Sequence, residues 1–167
     1  MSATISIAPV RKSVVVQATP EKAFAVFTGG IDRWWPKTHG VGETPIKESI
    51  IEPFVGGRWY TRSEDGAEVV VGHVRIWEPA KRFVMTWEIS AAWKPDSRVQ
   101  FASEVEVRFV ADSAGHTRVE LEHRNFERMG AEAGEKMRSG VDGGWPGLLE
   151  LFAKEASCGR VTSSELA

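Results

Sequence analysis

Cysteine and long apolar runs are scarce in this sequence, and their scarcity argues against a disulfide and a membrane-spanning helix. Cys158 is the one cysteine among 167 residues, so an internal disulfide is excluded and a reducing compartment is expected. No apolar run approaches the ~20 residues that a membrane-spanning helix needs. Residues 1–10 lack the charged start and the apolar stretch of a secretory signal, so we expect a cytoplasmic protein.

Charge of one sign is also scarce. The net charge is −2, and acidic and basic residues are interspersed without forming a block. A nucleic-acid-binding surface needs a basic stripe, and an anionic membrane surface attracts a polybasic cluster. We therefore expect neither a nucleic acid nor a membrane as a partner.

Catalytic motifs are absent as well. The chain has no Gly-x-Ser-x-Gly, no phosphate-binding loop and no dinucleotide-binding fingerprint. The lone cysteine has no histidine near it in the sequence, which excludes a nucleophile. No metal-binding spacing joins the four histidines, which are His39, His73, His116 and His123. We predict no catalytic residue, no metal and no cofactor; whether the chain is an enzyme stays open, with a non-catalytic binding protein favoured.

Tryptophan, by contrast, is abundant. These residues could fill the core, or several of them could form rigid walls of a pocket for a flat or apolar ligand. Both interpretations stay open for the seven, which are Trp34, Trp35, Trp59, Trp77, Trp87, Trp93 and Trp145.

The order of secondary-structure elements follows from changes in hydrophobic period. A strand over 11–17 is followed by Thr19-Pro20, a helix N-cap and a proline at the first helical position. This helix ends at Phe27, and a second short helix leads to Trp34-Trp35. Alternation with a period of two then predicts strands over 46–52, 57–62, 69–77, 83–90 and 101–111, with a last strand beyond a turn.

The last hairpin has a register that can be predicted. We expect a loop over 113–115 with Gly115 in the left-handed conformation. The charged residues of the two strands then face each other in two opposite-charge pairs and one like-charge pair: Arg108 with Glu120, Glu104 with Arg124, and Glu106 with Glu122.

The C-terminal segment has the spacing of a helix. Its apolar face continues across Pro146, which predicts one long helix with a kink at this proline. The residues of that face are Met137, Val141, Trp145, Leu148, Phe152 and Ala156.

Alternation also predicts which strand residues face inward. Within 69–77 the inward set is Val70, Gly72, Val74 and Ile76, so Trp77 is expected on the outer face, as is Tyr60 in the preceding strand. Exposed aromatic side chains often anchor partners, and we therefore expect a weak homodimer.

Together these elements predict an α+β fold in a single domain over 1–167, with an ordered core from about 10 to 157. A curved antiparallel sheet of about seven strands wraps around the long C-terminal helix, and two short helices follow the first strand. A sheet with one apolar face needs one cover. One helix cannot fill the space beneath a strongly bent sheet, so a deep apolar cavity is expected beside it.

Several stretches of the chain resemble a known family: residues 18–24, Trp34-Trp35-Pro36, Glu52-Pro53, Gly56-Gly57-Arg58-Trp59, Asp65-Gly66, Gly72-His73-Val74, Trp77-Glu78-Pro79, residues 82–87 and Gly144-Trp145. They are similar to the Bet v 1-like or START-like (SRPBCC) superfamily, and within it to the branch named after the activator of the heat-shock-protein-90 ATPase. The resemblance covers nearly the whole chain and implies the helix-grip fold.

The resemblance leaves the biochemical function open, because the superfamily includes lipid and hormone carriers, aromatase/cyclase proteins and co-chaperones. We predict that the cavity between the sheet and the C-terminal helix binds a hydrophobic or aromatic small molecule. One alternative is a co-chaperone-like regulator of a heat-shock-protein-90-type ATPase, although the sequence itself does not support a chaperone partner. The other is a cyclase- or hydrolase-type enzyme that uses the same cavity.

The predicted ligand-binding residues combine the inward apolar set with the aromatics at the expected opening. His123 carries two hypotheses, a hydrogen-bonded core histidine or a polar handle that orients a ligand or moves a proton. The full set is Trp34, Trp35, Trp59, Met85, Trp87, Trp93, Phe109, Leu121, His123, Trp145, Leu148 and Phe152.

Overall fold

The computed structural model describes residues 7–39 and 44–166, with side chains as far as residue 157. The strands are β1 Val10–Val16, β2 Ile46–Ile51, β3 Arg58–Ser63, β4 Glu68–Glu78, β5 Arg82–Trp87, β6 Ser103–Ser113 and β7 His116–Arg124. The helices are α1 Pro20–Phe27, α2 Ile31–Trp34 and α3 Ala131–Leu166, with 3₁₀ turns at Val99–Phe101 and Phe126–Met129. The side chain of Cys158 lies outside the described residues.

The seven strands form one antiparallel sheet in the order β1-β7-β6-β5-β4-β3-β2. With α3 and the two short helices this confirms the helix-grip α+β fold. The helix α1 begins as its sequence predicts, because the Thr19 hydroxyl accepts a hydrogen bond from the Lys22 amide at 3.2 Å and Pro20 follows the cap.

The predicted register of the β6–β7 hairpin is confirmed, and Gly115 has φ +77°. The like-charge pair of Glu106 and Glu122 is present. Its cost is offset because Glu106 accepts hydrogen bonds from Arg124 at 2.5 Å and from Arg82 at 3.1 Å. Burial alone raises the pKa of Glu106, but these guanidinium groups outweigh it and hold that pKa below its usual value.

The inward set predicted for β4 is partly wrong. The register shifts between Trp59 and Tyr60 against β4, and again between Val74 and Ile76 against β5. A β-bulge adds one residue to a strand and exchanges the faces beyond it. Val71 is therefore buried where Val70 was expected.

The two aromatic anchors predicted for a homodimer are not exposed. Beyond the second bulge Trp77 turns toward the core, where its ring centroid lies 5.0 Å from that of Phe24. The ring of Tyr60 is 8 % exposed because the guanidinium carbon of Arg58 lies 4.0 Å from its centroid. The surface basis for the homodimer is wrong, and self-association stays a prediction.

Helix α3 runs without interruption across Pro146, and every residue of its predicted apolar face is buried. The kink at Pro146 stays a prediction. Leu149, one residue beyond that face, is also buried at 2 % exposure, whereas Leu151 is 42 % exposed. The face that α3 presents to the rest of the domain is therefore wider than the predicted stripe.

The space beneath the sheet is not covered by α3 alone. Phe24 and Phe27 of α1 contact Phe83 and Phe109 of the sheet, with ring centroids 5.2–6.0 Å apart. Phe152 of α3 completes this cluster at 4.9 Å from Phe27. The short helices thus fill one end of the grip, and any cavity is confined to the other end. No helix in the described part of the chain is long and apolar enough to cross a membrane.

Candidate ligand cavity

A cavity of about 370 Å³ lies between α3 and the sheet, at the end that the phenylalanine cluster leaves free. Known small-molecule sites have volumes of about 300–1,000 Å³. Its lining comes from three directions: the sheet, the segment after α2, and one face of α3. The lining residues are Trp35, His39, Thr61, Val71, Trp87, Ile89, Trp93, Gly140, Val141, Gly144, Trp145 and Leu148.

The wall formed by α3 is interrupted by glycine. Gly140 and Gly144 are four residues apart, so they lie one above the other on the same face of the helix. A Cβ atom added at Gly144 would have no heavy atom within 4 Å. The helix therefore brings its backbone to the cavity without filling it.

Three further sides of the cavity are formed by tryptophans, one of them Trp145 of α3 itself. The ring of Trp145 lies 6.1 Å from that of Trp35 and 5.8 Å from that of Trp87. Behind them Trp59 contacts Trp35 at 5.0 Å and Trp87 at 5.8 Å, and it is 2 % exposed. Edge-to-face contacts at these distances hold the indole planes firmly, so the cavity has rigid aromatic sides.

The cavity opens to solvent at His39 and Trp93, which are the exposed side chains of its lining. The backbone carbonyl of His39 accepts a hydrogen bond from the Trp35 indole at 3.2 Å, which ties this side of the mouth to the aromatic frame. Trp93 forms the other side. His39 and Trp93 belong to or adjoin the segments where the sequence predicts the opening, and ligand entry between them stays a prediction.

Polar groups are few in the lining. Thr61 contributes a hydroxyl and His39 an imidazole, and none of the described lining residues carries a carboxylate. Among the described residues no cluster of histidine, cysteine, aspartate and glutamate could hold a metal ion. The arrangement is suited to enclosing an apolar ring system and offers little acid–base chemistry.

His123 lies behind the cavity wall and is fully buried. Its Nδ1 accepts a hydrogen bond from the Trp145 indole N–H at 3.1 Å, and its Nε2 is 2.8 Å from the Ser103 hydroxyl. Because an indole nitrogen only donates, Nδ1 is unprotonated and the ring is the neutral Nε2–H tautomer. Burial lowers the pKa of His123 from 6.5 to about 3. Of the two hypotheses, the geometry favours the hydrogen-bonded core histidine.

A sequence model of the family described as Activator of Hsp90 ATPase homolog 1-like protein matches residues 17–157. The chain belongs to this family. No curated protein sequence matches the chain.

Two solved structures share substantial identity with this Activator of Hsp90 ATPase homolog 1-like domain. The anthrahydroquino-γ-pyrone synthase Txn09 is 42 % identical, with 89 % of this chain and 97 % of that chain covered and a TM-score of 0.63. The self-sacrificing resistance protein CalC from Micromonospora echinospora is 32 % identical over 89 % of this chain and 93 % of that chain, with a TM-score of 0.64. The Aha1 dimer from Colwellia psychrerythraea, 16 % identical over 90 % of this chain and 97 % of that chain with a TM-score of 0.62, shares the fold.

The structure brings five of the twelve predicted ligand-binding residues to the cavity: Trp35, Trp87, Trp93, Trp145 and Leu148. Three of the others, Trp34, Phe109 and Phe152, belong to the phenylalanine cluster or contact it. The remaining four are buried behind the lining: Trp59, Met85, Leu121 and His123. Ligand contact stays a prediction for all twelve, and the geometry favours the first five.

Seven lining residues were not in the predicted set: His39, Thr61, Val71, Ile89, Gly140, Val141 and Gly144. Val71 was missed because alternation alone does not reveal a bulge, and His39 because it lies in a loop. The two helix glycines were recognisable, since glycines four residues apart on an otherwise apolar helical face indicate a gap in packing.

The buried neutral state of His123 predicts a specific dependence of stability on pH. The folded-state pKa lies below the unfolded value, so the unfolded chain binds the extra proton first, and stability is lost as the pH falls below about 6.5. Between pH 7 and pH 5 we expect a loss of about 2 kcal/mol in the free energy of unfolding, measured by urea denaturation. His123→Gln should flatten this dependence, whereas His116→Gln at an exposed turn should keep it; equal slopes in all three proteins would contradict the assignment.

Truncating Trp145 tests how far the wall and its hydrogen bond hold the fold. Trp145→Ala removes a side chain that is 2 % exposed and leaves His123 Nδ1 without a donor, so we expect a loss of about 3–5 kcal/mol. Leu151→Ala, at an exposed position of the same helix, should change stability by less than about 0.5 kcal/mol. Similar melting temperatures for the two variants would contradict the expected contribution of Trp145 to stability.

Proposed function

We propose that this domain binds a planar, largely apolar aromatic small molecule in the cavity between the sheet and α3. The observation that carries the proposal is the frame of indole rings around an open volume of about 370 Å³. Rigid aromatic walls bind flat ring systems because they offer a large apolar contact area at little conformational cost. A packed core would place aliphatic side chains in that space.

One relative supports a polycyclic ligand. Txn09 is named as the synthase of an anthrahydroquino-γ-pyrone, a fused aromatic ring system. The identity of 42 % to Txn09 extends over nearly all of that chain, so a shared ligand class follows more readily from it than from the common fold. We therefore assign the ligand to the class of anthraquinone-like compounds.

A cyclase that closes a pyrone ring in this cavity is the second candidate, and the identity to a synthase favours it. Among the described residues of the lining, His39 is the one titratable side chain, and it would be the acid–base group of this enzyme. The comparison is the rate of pyrone formation from an open-chain anthraquinone precursor with wild type and with His39→Gln. If wild type does not accelerate pyrone formation over buffer, the cyclase hypothesis is wrong and the binding function is unaffected.

Two partner predictions remain alongside the ligand. Weak self-association is retained as a proposal because a family relative is described as a dimer, and sedimentation at high concentration tests it. A regulatory contact with a chaperone ATPase rests on the family name alone, and a binding assay with the purified ATPase tests it.

Filling the cavity provides the direct test of binding. Wild type should bind 1,8-dihydroxyanthraquinone saturably, with quenching of tryptophan fluorescence and a calorimetric isotherm. Val141 lines the cavity and is 5 % exposed, so Val141→Phe should occupy the ligand's volume and weaken binding at least tenfold in protein that remains folded.

The matched control is Leu151→Phe, which adds the same ring to the exposed face of the same helix. It should bind as wild type does. Absence of saturable binding to wild type would overturn the proposed function, and equal affinity in the two variants would place the ligand elsewhere.

A further inference from the structure

One wall of the cavity carries a hydroxyl group that the fold does not use. Thr61 of β3 lines the cavity and is 4 % exposed, and its hydroxyl makes no hydrogen bond with any described residue. Its direct neighbour across the sheet is Ser49 of β2, whose hydroxyl is buried without a partner. Ser49 does not line the cavity, so the Thr61 hydroxyl is the one of this pair that a ligand can reach.

The fold does not depend on this hydroxyl. The Thr61 oxygen is not among the buried side-chain atoms that lack a partner, so it is accessible from the cavity. Valine has nearly the same shape as threonine and would fill position 61 equally well. The backbone does not need the hydroxyl either, because Thr61 takes part in the sheet through its peptide groups.

We infer that Thr61 is the polar anchor that recognises an oxygen substituent on the aromatic ligand. The inference rests on the proposed function and narrows its ligand class to rings that carry a carbonyl or phenolic oxygen. A threonine hydroxyl both donates and accepts, so it can serve either group. In a lining that is otherwise apolar, one such bond fixes how a flat ring is oriented.

The test compares two ligands of one shape, 9,10-anthraquinone and anthracene, which differ in the two oxygens. Wild type should bind the quinone about three- to tenfold more tightly, the range of one hydrogen bond. Thr61→Val should remove that preference while leaving anthracene affinity unchanged, and Thr61→Ser should restore it. The melting temperature of unliganded Thr61→Val should equal or exceed that of wild type, which a hydroxyl needed for folding would not allow.

The outcomes of this test distinguish failure of the Thr61 inference from failure of the proposed function. Binding of both compounds with equal affinity, unchanged by Thr61→Val, would overturn the anchor and keep the aromatic cavity. Binding of neither compound would overturn the proposed function and the anchor with it. A drop in melting temperature with loss of both ligands would show that Thr61 is structural.

A separate observation concerns the mouth of the cavity. Trp93 has φ +60°, a left-handed conformation that is unfavourable for a bulky side chain. Its indole ring lies against Gly140 of α3 so closely that a Cβ added there would be 2.6 Å from Cζ2 of the ring. The ring is 42 % exposed and lines the cavity. The left-handed backbone of Trp93 and the lack of a side chain at Gly140 thus both allow the ring to occupy this position.

We infer that Trp93, seated on Gly140, is a specificity-determining residue that covers the outer face of a bound ring. This also rests on the proposed function. Burial does not hold an exposed tryptophan in place. The left-handed backbone at Trp93 and the close contact of its ring with Gly140 therefore indicate a position that serves contact with a ligand. Dispersion contacts between the indole and a flat ligand then slow the ligand's release.

The test is Gly140→Ala, whose methyl group displaces the indole without touching the other walls. Helix propensity favours alanine, so the fold should be as stable as wild type or more so. We expect anthraquinone to dissociate at least threefold faster, measured by stopped-flow fluorescence. Gly143→Ala is the matched control, because a Cβ there meets no atom within 4 Å and the residue does not line the cavity.

Equal dissociation rates in the two alanine variants would overturn the role of Trp93 while leaving ligand binding intact. Trp93→Ala should release the ligand at least as fast as Gly140→Ala. If Trp93→Ala instead released it at the wild-type rate, the ring would have no contact with the ligand.

Discussion

The hydrogen bond from the Trp145 indole to His123 is the constraint on which the cavity depends. It joins the middle of α3 to β7 at a point where both partners are buried. Apolar contacts alone allow a helix to slide or rotate on a sheet, whereas a buried donor that needs one particular acceptor does not. Because Trp145 is also a wall of the cavity, the bond that positions the helix positions the wall.

The cavity exists because different sets of residues cover the two ends of the sheet. The phenylalanines of α1 and the sheet close one end with contacts among aromatic rings, and they make that end dense. At the other end Gly144 leaves open space where a larger side chain would project, and Gly140 makes room for the Trp93 ring.

Unused polar groups gather around the open half. The hydroxyl of Ser49 and the indole nitrogens of Trp59 and Trp87 are buried without partners among the described residues. Each such group costs roughly 1–3 kcal/mol relative to a satisfied one. A fold optimised only for stability would pair them or replace them, whereas a binding site retains groups whose partners arrive with the ligand.

The sequence by itself determined the order of elements along the chain, the capped start of α1, the hairpin register around Gly115 and the buried face of α3, because these depend on local periodicity and local turn chemistry. It also pointed to the tryptophans. Only the tertiary structure decided which tryptophans line the cavity, that Val71 and not Val70 faces inward, and that Trp77 and Tyr60 are covered. It also decided that His123 is a buried link and that Thr61 is left unpaired. The physical reason is that a bulge changes the face of every residue beyond it, and that a hydrogen-bond partner from a distant element is not encoded in any local period.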